Sequence, residues 1–436
     1  MKRIVPVLLA LALLLSGCAL KTGEELYSLP KPPEDYLDLQ AALEEQLAAG
    51  ASYAAPVGGA NRQSVQLVDI DADGEKEAVA FFRTAGERPL RVCVFKKTDG
   101  AYRLCATVEG AGSAINAVEY LNLDGRQGLE LLVSWQVSAL QYLGAYSLED
   151  WRVTELMSAP YTEYRTVDLD LDGRSEVFLL RADAEGRTGV AQLYRYDGSQ
   201  MAKEPDVAMS VDAANLRRVI TGYLEPGVMA VFAASLYEQG IVTDVFVCQN
   251  SQFYNASLDP NGSGLSAQTV RNYYIYADDI DDDGLVELPR PEALPPARED
   301  ETDTFWVINW YNLGLDGHTT DKLLTYHNFS AGWYLQLPER WRGQITVYRT
   351  EGTVGWIYTF ARLAEDGTLT PVVHISPING DGSGLRGNWF VLGQVAGTYY
   401  AALIPPEAAA WSGSLTAEEL QARFHPIRYD WNMGET

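Results

Sequence analysis

Three segments carry aspartates at alternate positions, then glycine, then a glutamate three residues on: Asp69, Asp71, Asp73, Gly74 and Glu77; Asp168, Asp170, Asp172, Gly173 and Glu176; Asp279, Asp281, Asp283, Gly284 and Glu287. Alternate residues of a tight loop point inward, and a hard cation such as Ca²⁺ takes six to eight oxygens at about 2.3–2.6 Å. The glycine allows the sharp turn, the residue after it can offer its carbonyl, and the glutamate closes the site directly or through water. An EF-hand would place a bidentate glutamate at loop position twelve. Ala80, Leu179 and Arg290 stand there instead, between strand-like flanks, so that motif is rejected.

The loops belong to a repeat. Tyr120-Leu121-Asn122-Leu123-Asp124-Gly125 before Glu130-Leu131-Leu132-Val133 keeps the middle of the pattern, with Asn122 and Asp124 as a weaker site. Thr221 to Gly227 before Val228-Met229-Ala230-Val231-Phe232 keeps turn and strand without the acids. The five copies start at 69, 120, 168, 221 and 279, spacings of 51, 48, 53 and 58 residues. Four short strands in such a unit describe a propeller blade, which cannot bury both faces alone and stacks on its neighbours. Two copies lack the full acid set, so the repeat is structural first and the ion reinforces it locally.

On these motifs the chain resembles the calcium-binding repeats of FG-GAP and VCBS-type propellers, the architecture also seen in integrin α-subunits, over roughly residues 60–290. The resemblance implies Ca²⁺ held by Asp69, Asp71, Asp73 and Glu77, by Asp168, Asp170, Asp172 and Glu176, and by Asp279, Asp281, Asp283 and Glu287. Many such loops end in Asp where this chain has Glu. The expected fold is mainly β: a β-propeller of five to six blades, some degenerate, over 60–328, followed by a small α+β domain over 331–436. Pro289 to Glu301 reads as a connector, and the strands around Trp306 and Leu324 would close the ring.

The chain has 436 residues, 47% hydrophobic and 11% aromatic, enough for real cores in two or three domains. With 33 Lys+Arg against 59 Asp+Glu, its formal charge of −26 argues against nucleic acid and for divalent cations as small partners. Lys2 and Arg3, the apolar run Ile4 to Leu15 and then Leu15-Ser16-Gly17-Cys18 have the layout of an export signal. The tetrapeptide resembles the lipobox of bacterial lipoproteins. That resemblance implies lipidation of Cys18, a removed signal over 1–17, a Pro-rich tether over 18–35 and a membrane-anchored position outside the cytoplasmic membrane. Tyr36, Leu39, Leu43 and Leu47 fall at helical spacing within a lead-in over 36–59.

Cys93 and Cys105 flank Thr98-Asp99-Gly100, and a three-residue hairpin loop there would set them opposite each other. Either a disulfide or two small apolar residues on adjacent strands fits that placement. His318, His327, His374 and His425 show no metal-ligand spacing, and no nucleophile elbow, phosphate loop or dinucleotide fingerprint is present. The Tyr and Trp residues between Tyr273 and Trp341 read as core rather than sugar-stacking surface. The sequence therefore predicts a surface lipoprotein whose calcium-stabilised propeller binds a protein or glycan, with no catalytic residue assigned. The alternatives are an extracellular hydrolase of polysaccharide or peptide working on the propeller axis, and an envelope assembly factor.

Overall fold

The computed structural model describes residues 34–182, 188–259, 262–298, 302–383 and 385–428. The signal, Cys18 and nearly all of the tether lie outside the described residues. No helix among the described residues is long and apolar enough to cross a membrane. The described residues form two compact units, one of those up to 117 with 148–153, the other of those in 118–147 and from 154 on.

In the first unit, helix α1 (Glu34–Ala48) places Leu39, Leu43 and Leu47 at helical spacing against Phe82, Cys93 and Phe95. Those residues belong to a sheet of β1 (Ser52–Tyr53), β2 (Val65–Val68), β3 (Glu77–Arg83), β4 (Leu90–Thr98) and β5 (Ala101–Gly110). The β4–β5 turn is tighter than expected. Thr98 pairs with Ala101 across two residues, Asp99 and Gly100, with φ of 53° and 81°. Both residues are left-handed, as the hairpin twist favours. A register shift at Val94 and Phe95 then leaves Cys105 without a cross-strand partner, while Cys93 pairs with Thr107. Both thiols are free, and Cys105 Sγ donates to the Val94 carbonyl at 3.1 Å.

The remaining sheets follow in chain order. One has β6 (Ala114–Leu121), β7 (Glu130–Val137), β8 (Leu140–Ser147) and β9 (Thr154–Tyr161). The next has β10 (Glu163–Val167), β11 (Glu176–Ala182), β12 (Gly189–Tyr196), β13 (Met201–Lys203) and β14 (Val207–Ala208). Then come β15 (Leu216–Glu225), β16 (Val228–Tyr237), β17 (Gly240–Gln249) and β18 (Gln252–Asn255). The last two sheets hold β19 (Leu288–Ala293), β20 (Trp306–Leu313), β21 (Thr319–Asn328) and β22 (Trp333–Leu337), and then β23 (Ile345–Glu351), β24 (Trp356–Leu363), β25 (Leu369–Ile378), β26 (Phe390–Val395) and β27 (Thr398–Leu403). Helix α2 (Ala417–Arg423) is capped by Thr416, whose hydroxyl accepts from the Glu419 amide while Glu419 accepts from the Thr416 amide.

Period-two alternation gives these sheets two buried faces. On β11, Val177 and Leu179 cluster with Leu132 and Leu143 of the preceding sheet, while Phe178 and Leu180 cluster with Val231 and Phe246 of the following one. Phe232 and Val245 then meet Leu288 and Tyr311, and Tyr326 meets Phe360 edge-on at 5.1 Å. Burying apolar surface on both faces is what holds such sheets in series. Trp310, Trp333 and Trp341 are fully buried in this packing, and Tyr311 and Tyr276 nearly so.

The boundary expected at residue 331 falls between β21 and β22, which are hydrogen-bonded neighbours: Leu324 pairs with Leu337 and Asn328 with Trp333. A final strand, β28 (Phe424–Pro426), returns to pair with β22. Residues 331–337 and 424–426 therefore complete the sheet that follows the third acidic loop, and a separate five-stranded sheet lies between them in sequence.

Candidate metal centre

Each of the first two acidic loops joins two paired strands, β2 to β3 and β10 to β11, and its glutamate is the first residue of the later strand. Glu77 begins β3 and Glu176 begins β11; Glu130 begins β7 in the copy that has Asn122 in place of the first aspartate. In all of them the buried carboxylate accepts the backbone N–H seven residues earlier. The distances are 2.9 Å from Ile70 to Glu77, 2.7 Å from Leu123 to Glu130 and 2.7 Å from Leu169 to Glu176. The third loop keeps the bond, 3.2 Å from Ile280 to Glu287, although its leading segment forms only a single bridge, Asp278 to Glu287, rather than a strand.

The aspartates fold the loop onto its own backbone. The first carboxylate accepts the glycine N–H: Asp69 from Gly74 at 3.1 Å, Asp168 from Gly173 at 2.9 Å, Asp279 from Gly284 at 2.9 Å. The third accepts the N–H two residues on, at 2.8 Å for Asp73, 2.9 Å for Asp172 and 2.9 Å for Asp283. The turn also needs two left-handed residues, and the three loops agree closely. Ala72, Leu171 and Asp282 have φ of 57°, 59° and 58°, and Gly74, Gly173 and Gly284 have 91°, 89° and 90°. No atom lies within 4 Å of a Cβ added at those glycines, so the requirement is conformational. The weaker copy reproduces the closure with Asn122, whose side-chain oxygen accepts from Gly125 at 2.7 Å.

Convergence of oxygens differs between loops. Asp168, Asp170, Asp172 and Glu176 each bring a carboxylate oxygen within 4.8 Å of the others. In the first loop Asp69, Asp71 and Glu77 do so, and in the third Asp279, Asp281 and Glu287. Asp73 and Asp283 turn instead to ammonium groups, Lys96 at 2.7 Å and Lys322. These all-oxygen, multiply charged donor sets fit a hard divalent cation. Asp69 contributes a further sign, because its Oδ1 is buried with no hydrogen-bond partner.

Burial raises the carboxyl pKa of each closing glutamate, with neighbouring aspartates adding to it; Glu176 and Glu287 are pushed up to about 7. The Lys96 contact holds Asp73 below the usual carboxylate range.

The residues that sequence reasoning missed lie across the next hairpin. Pairing of Ala78 with Phe95, Val177 with Tyr194 and Leu288 with Tyr311 sets Lys96, Arg195 and Asn312 opposite Glu77, Glu176 and Glu287. Lys96 Nζ reaches Asp71 at 2.5 Å, Asp73 at 2.7 Å and Glu77 at 3.2 Å. Arg195 reaches Asp170 at 3.1 Å, and Asn312 donates to Glu287 at 2.9 Å. Counting hairpin register from each glutamate is the signal that would have found them.

No protein-family model matches the chain, and no curated protein matches it. Among solved structures it is similar to rhamnogalacturonan lyase YesW, at 14% identity and a TM-score of 0.31, covering 72% of this chain and 76% of that one. A rhamnogalacturonan lyase from Bacillus licheniformis gives 13% identity and 0.31, covering 63% and 65%. A 6-phosphogluconolactonase-like protein from Bacteroides fragilis gives 10% and 0.25, covering 74% and 93%. At TM-scores this low the likeness carries no argument about this chain.

Proposed function

We propose that the chain is a calcium-stabilised propeller of the FG-GAP/VCBS type, anchored through Cys18 outside the bacterial cytoplasmic membrane, whose role is to present its loops to a protein or glycan partner. One observation carries the metal reading: three separate loops repeat the same backbone and the same glutamate-to-amide bond, and each draws three or four carboxylates together. Asp168, Asp170, Asp172 and Glu176 would hold the ion most completely, with Asp69, Asp71 and Glu77, and Asp279, Asp281 and Glu287, as partial sets that Asp73 and Asp283 complete once released by their lysines. A bound divalent cation supplies positive charge to a cluster that otherwise repels itself. The residues themselves fix the loop between paired strands, so the role is structural. Sheets packed in series through both faces support the propeller reading.

Thermal unfolding of the protein lacking residues 1–18, in millimolar Ca²⁺, in Mg²⁺ and in EDTA, tests this. Free Ca²⁺ about 100-fold above a site's dissociation constant adds ~2.7 kcal/mol per site. A Ca²⁺-specific rise in melting temperature is expected. Equal melting in all three buffers would leave the acids as solvated turns and remove the reading.

A further inference from the structure

Arg271 lies in the second unit, between the turn Ala267–Thr269 and the aromatic run beginning at Tyr273, and is only 5% exposed. Its Nε donates to the Ile275 carbonyl at 2.6 Å, and Nη1 to the Thr269 carbonyl at 2.8 Å and Thr243 Oγ1 at 3.1 Å. Nη2 is buried with no acceptor, and among the described residues no carboxylate pairs with this guanidinium. Burial pushes its pKa down to about 10. Buried charges are ordinarily paired, because taking an ion out of water costs several kcal/mol. Among the described residues, no acidic side chain hydrogen-bonds this guanidinium.

Arg271 lines a cavity of about 270 Å³ together with Gln268, Asn272, Arg290, Pro291 and Trp306. Arg290 stacks its guanidinium 4.3 Å over the Tyr311 ring, and its one acidic contact, Asp321 at 3.4 Å, is solvent-exposed and therefore weak. Two guanidinium forks suit planar oxyanions, amide side chains suit hydroxyl groups, and an indole with prolines offers flat apolar walls. The volume lies just below the usual range for ligand pockets, which sets the size at about one sugar ring.

We propose that this cavity binds a small oxyanion-bearing ligand of monosaccharide size, with Arg271 supplying the buried counter-charge and Arg290 the second contact at the rim. The missing charge is thus the ligand's own. None of the residues lining this cavity is one of the loop carboxylates.

Calorimetric titration of the full chain in detergent and Ca²⁺ compares D-glucuronate, inorganic phosphate and neutral D-glucose. Binding of glucuronate or phosphate at least tenfold tighter than glucose is expected, and whichever of the two binds identifies the oxyanion as carboxylate or phosphate. Arg290→Gln should weaken that binding at least tenfold with an unchanged melting temperature, and Arg271→Gln should abolish it. Because Arg271→Gln also removes three internal hydrogen bonds and can unfold the chain, Arg290→Gln and Asn272→Ala carry the test independently. Neither anion binding better than glucose, or unchanged affinity in Arg290→Gln, overturns the proposal. Calcium binding is read by the melting experiment above, so either reading can fail alone.

Discussion

Glu176→Gln is the sharpest probe of the second loop, because it keeps shape and hydrogen bond while deleting one charge. The amide oxygen can still accept from Leu169, now at 2.7 Å from the carboxylate. Glu176 is 3% exposed, and burial with its aspartate neighbours raises its pKa from 4.5 to about 7. At 1.36 kcal/mol per unit, ionising this group in the folded, metal-free protein costs on the order of 3 kcal/mol. The sign follows from proton uptake. The folded state holds this proton more tightly than the unfolded one, so its contribution is favourable below about 4.5 and is lost as pH rises to about 7. In EDTA at pH 7.5, Glu176→Gln should therefore melt higher than the parent, by up to that order of free energy. In saturating Ca²⁺ the carboxylate becomes a ligand, and the variant should melt lower because it forgoes part of the ~2.7 kcal/mol that a well-occupied site supplies. Differential scanning calorimetry of both proteins in both buffers reads the four values. A difference of the same sign in EDTA and in Ca²⁺ would refute the assignment of Glu176 as a metal ligand.

Further outcomes are expected. Gly173→Ala, at φ 89° in open space, should lose about 1 kcal/mol in denaturant melts, since only backbone conformation opposes it. Lys96→Met removes the ammonium that bridges Asp71, Asp73 and Glu77; calorimetric titration should show the first loop taking up Ca²⁺ more tightly than in the parent, and unchanged affinity would show that Lys96 does not compete. Because Cys93 and Cys105 are both free, a reductant should shift the melting temperature by less than about 1 °C, and thiol titration in denaturant should count both without prior reduction.

What was legible in the sequence was local. The spacing of Asp69, Asp71, Asp73 and Gly74 encodes a loop whose side chains bind their own backbone, and such short-range bonds are written directly in residue order. The residues after each acidic loop, such as Val177 to Leu180, likewise read as a strand, and their continuous apolar run is the pattern of one buried on both faces. Less legible were relations set by register. Lys96 meets Glu77 only through the β3–β4 pairing, and the two-residue turn at Asp99 and Gly100 moved Cys105 off its expected position opposite Cys93, after which the register shift between Val94 and Phe95 left it unpaired. The boundary drawn at 331 followed a change in repeat character, whereas the sheet itself continues through Trp333–Leu337 by pairing that no repeat marks. Arg271 had no signal at all, since a buried arginine and an exposed one look alike in sequence.

The return of Phe424–Pro426 to β22 has a consequence for biosynthesis. Strands β19 to β22 are all made by residue 337, yet their sheet gains its last strand only after some ninety more residues have left the ribosome or the export channel. Until then the outer edge of β22 exposes unpaired backbone groups at Trp333, Tyr334 and Leu335, an apolar template open to wrong partners. Phe424–Pro426 thus act as a latch that closes this edge.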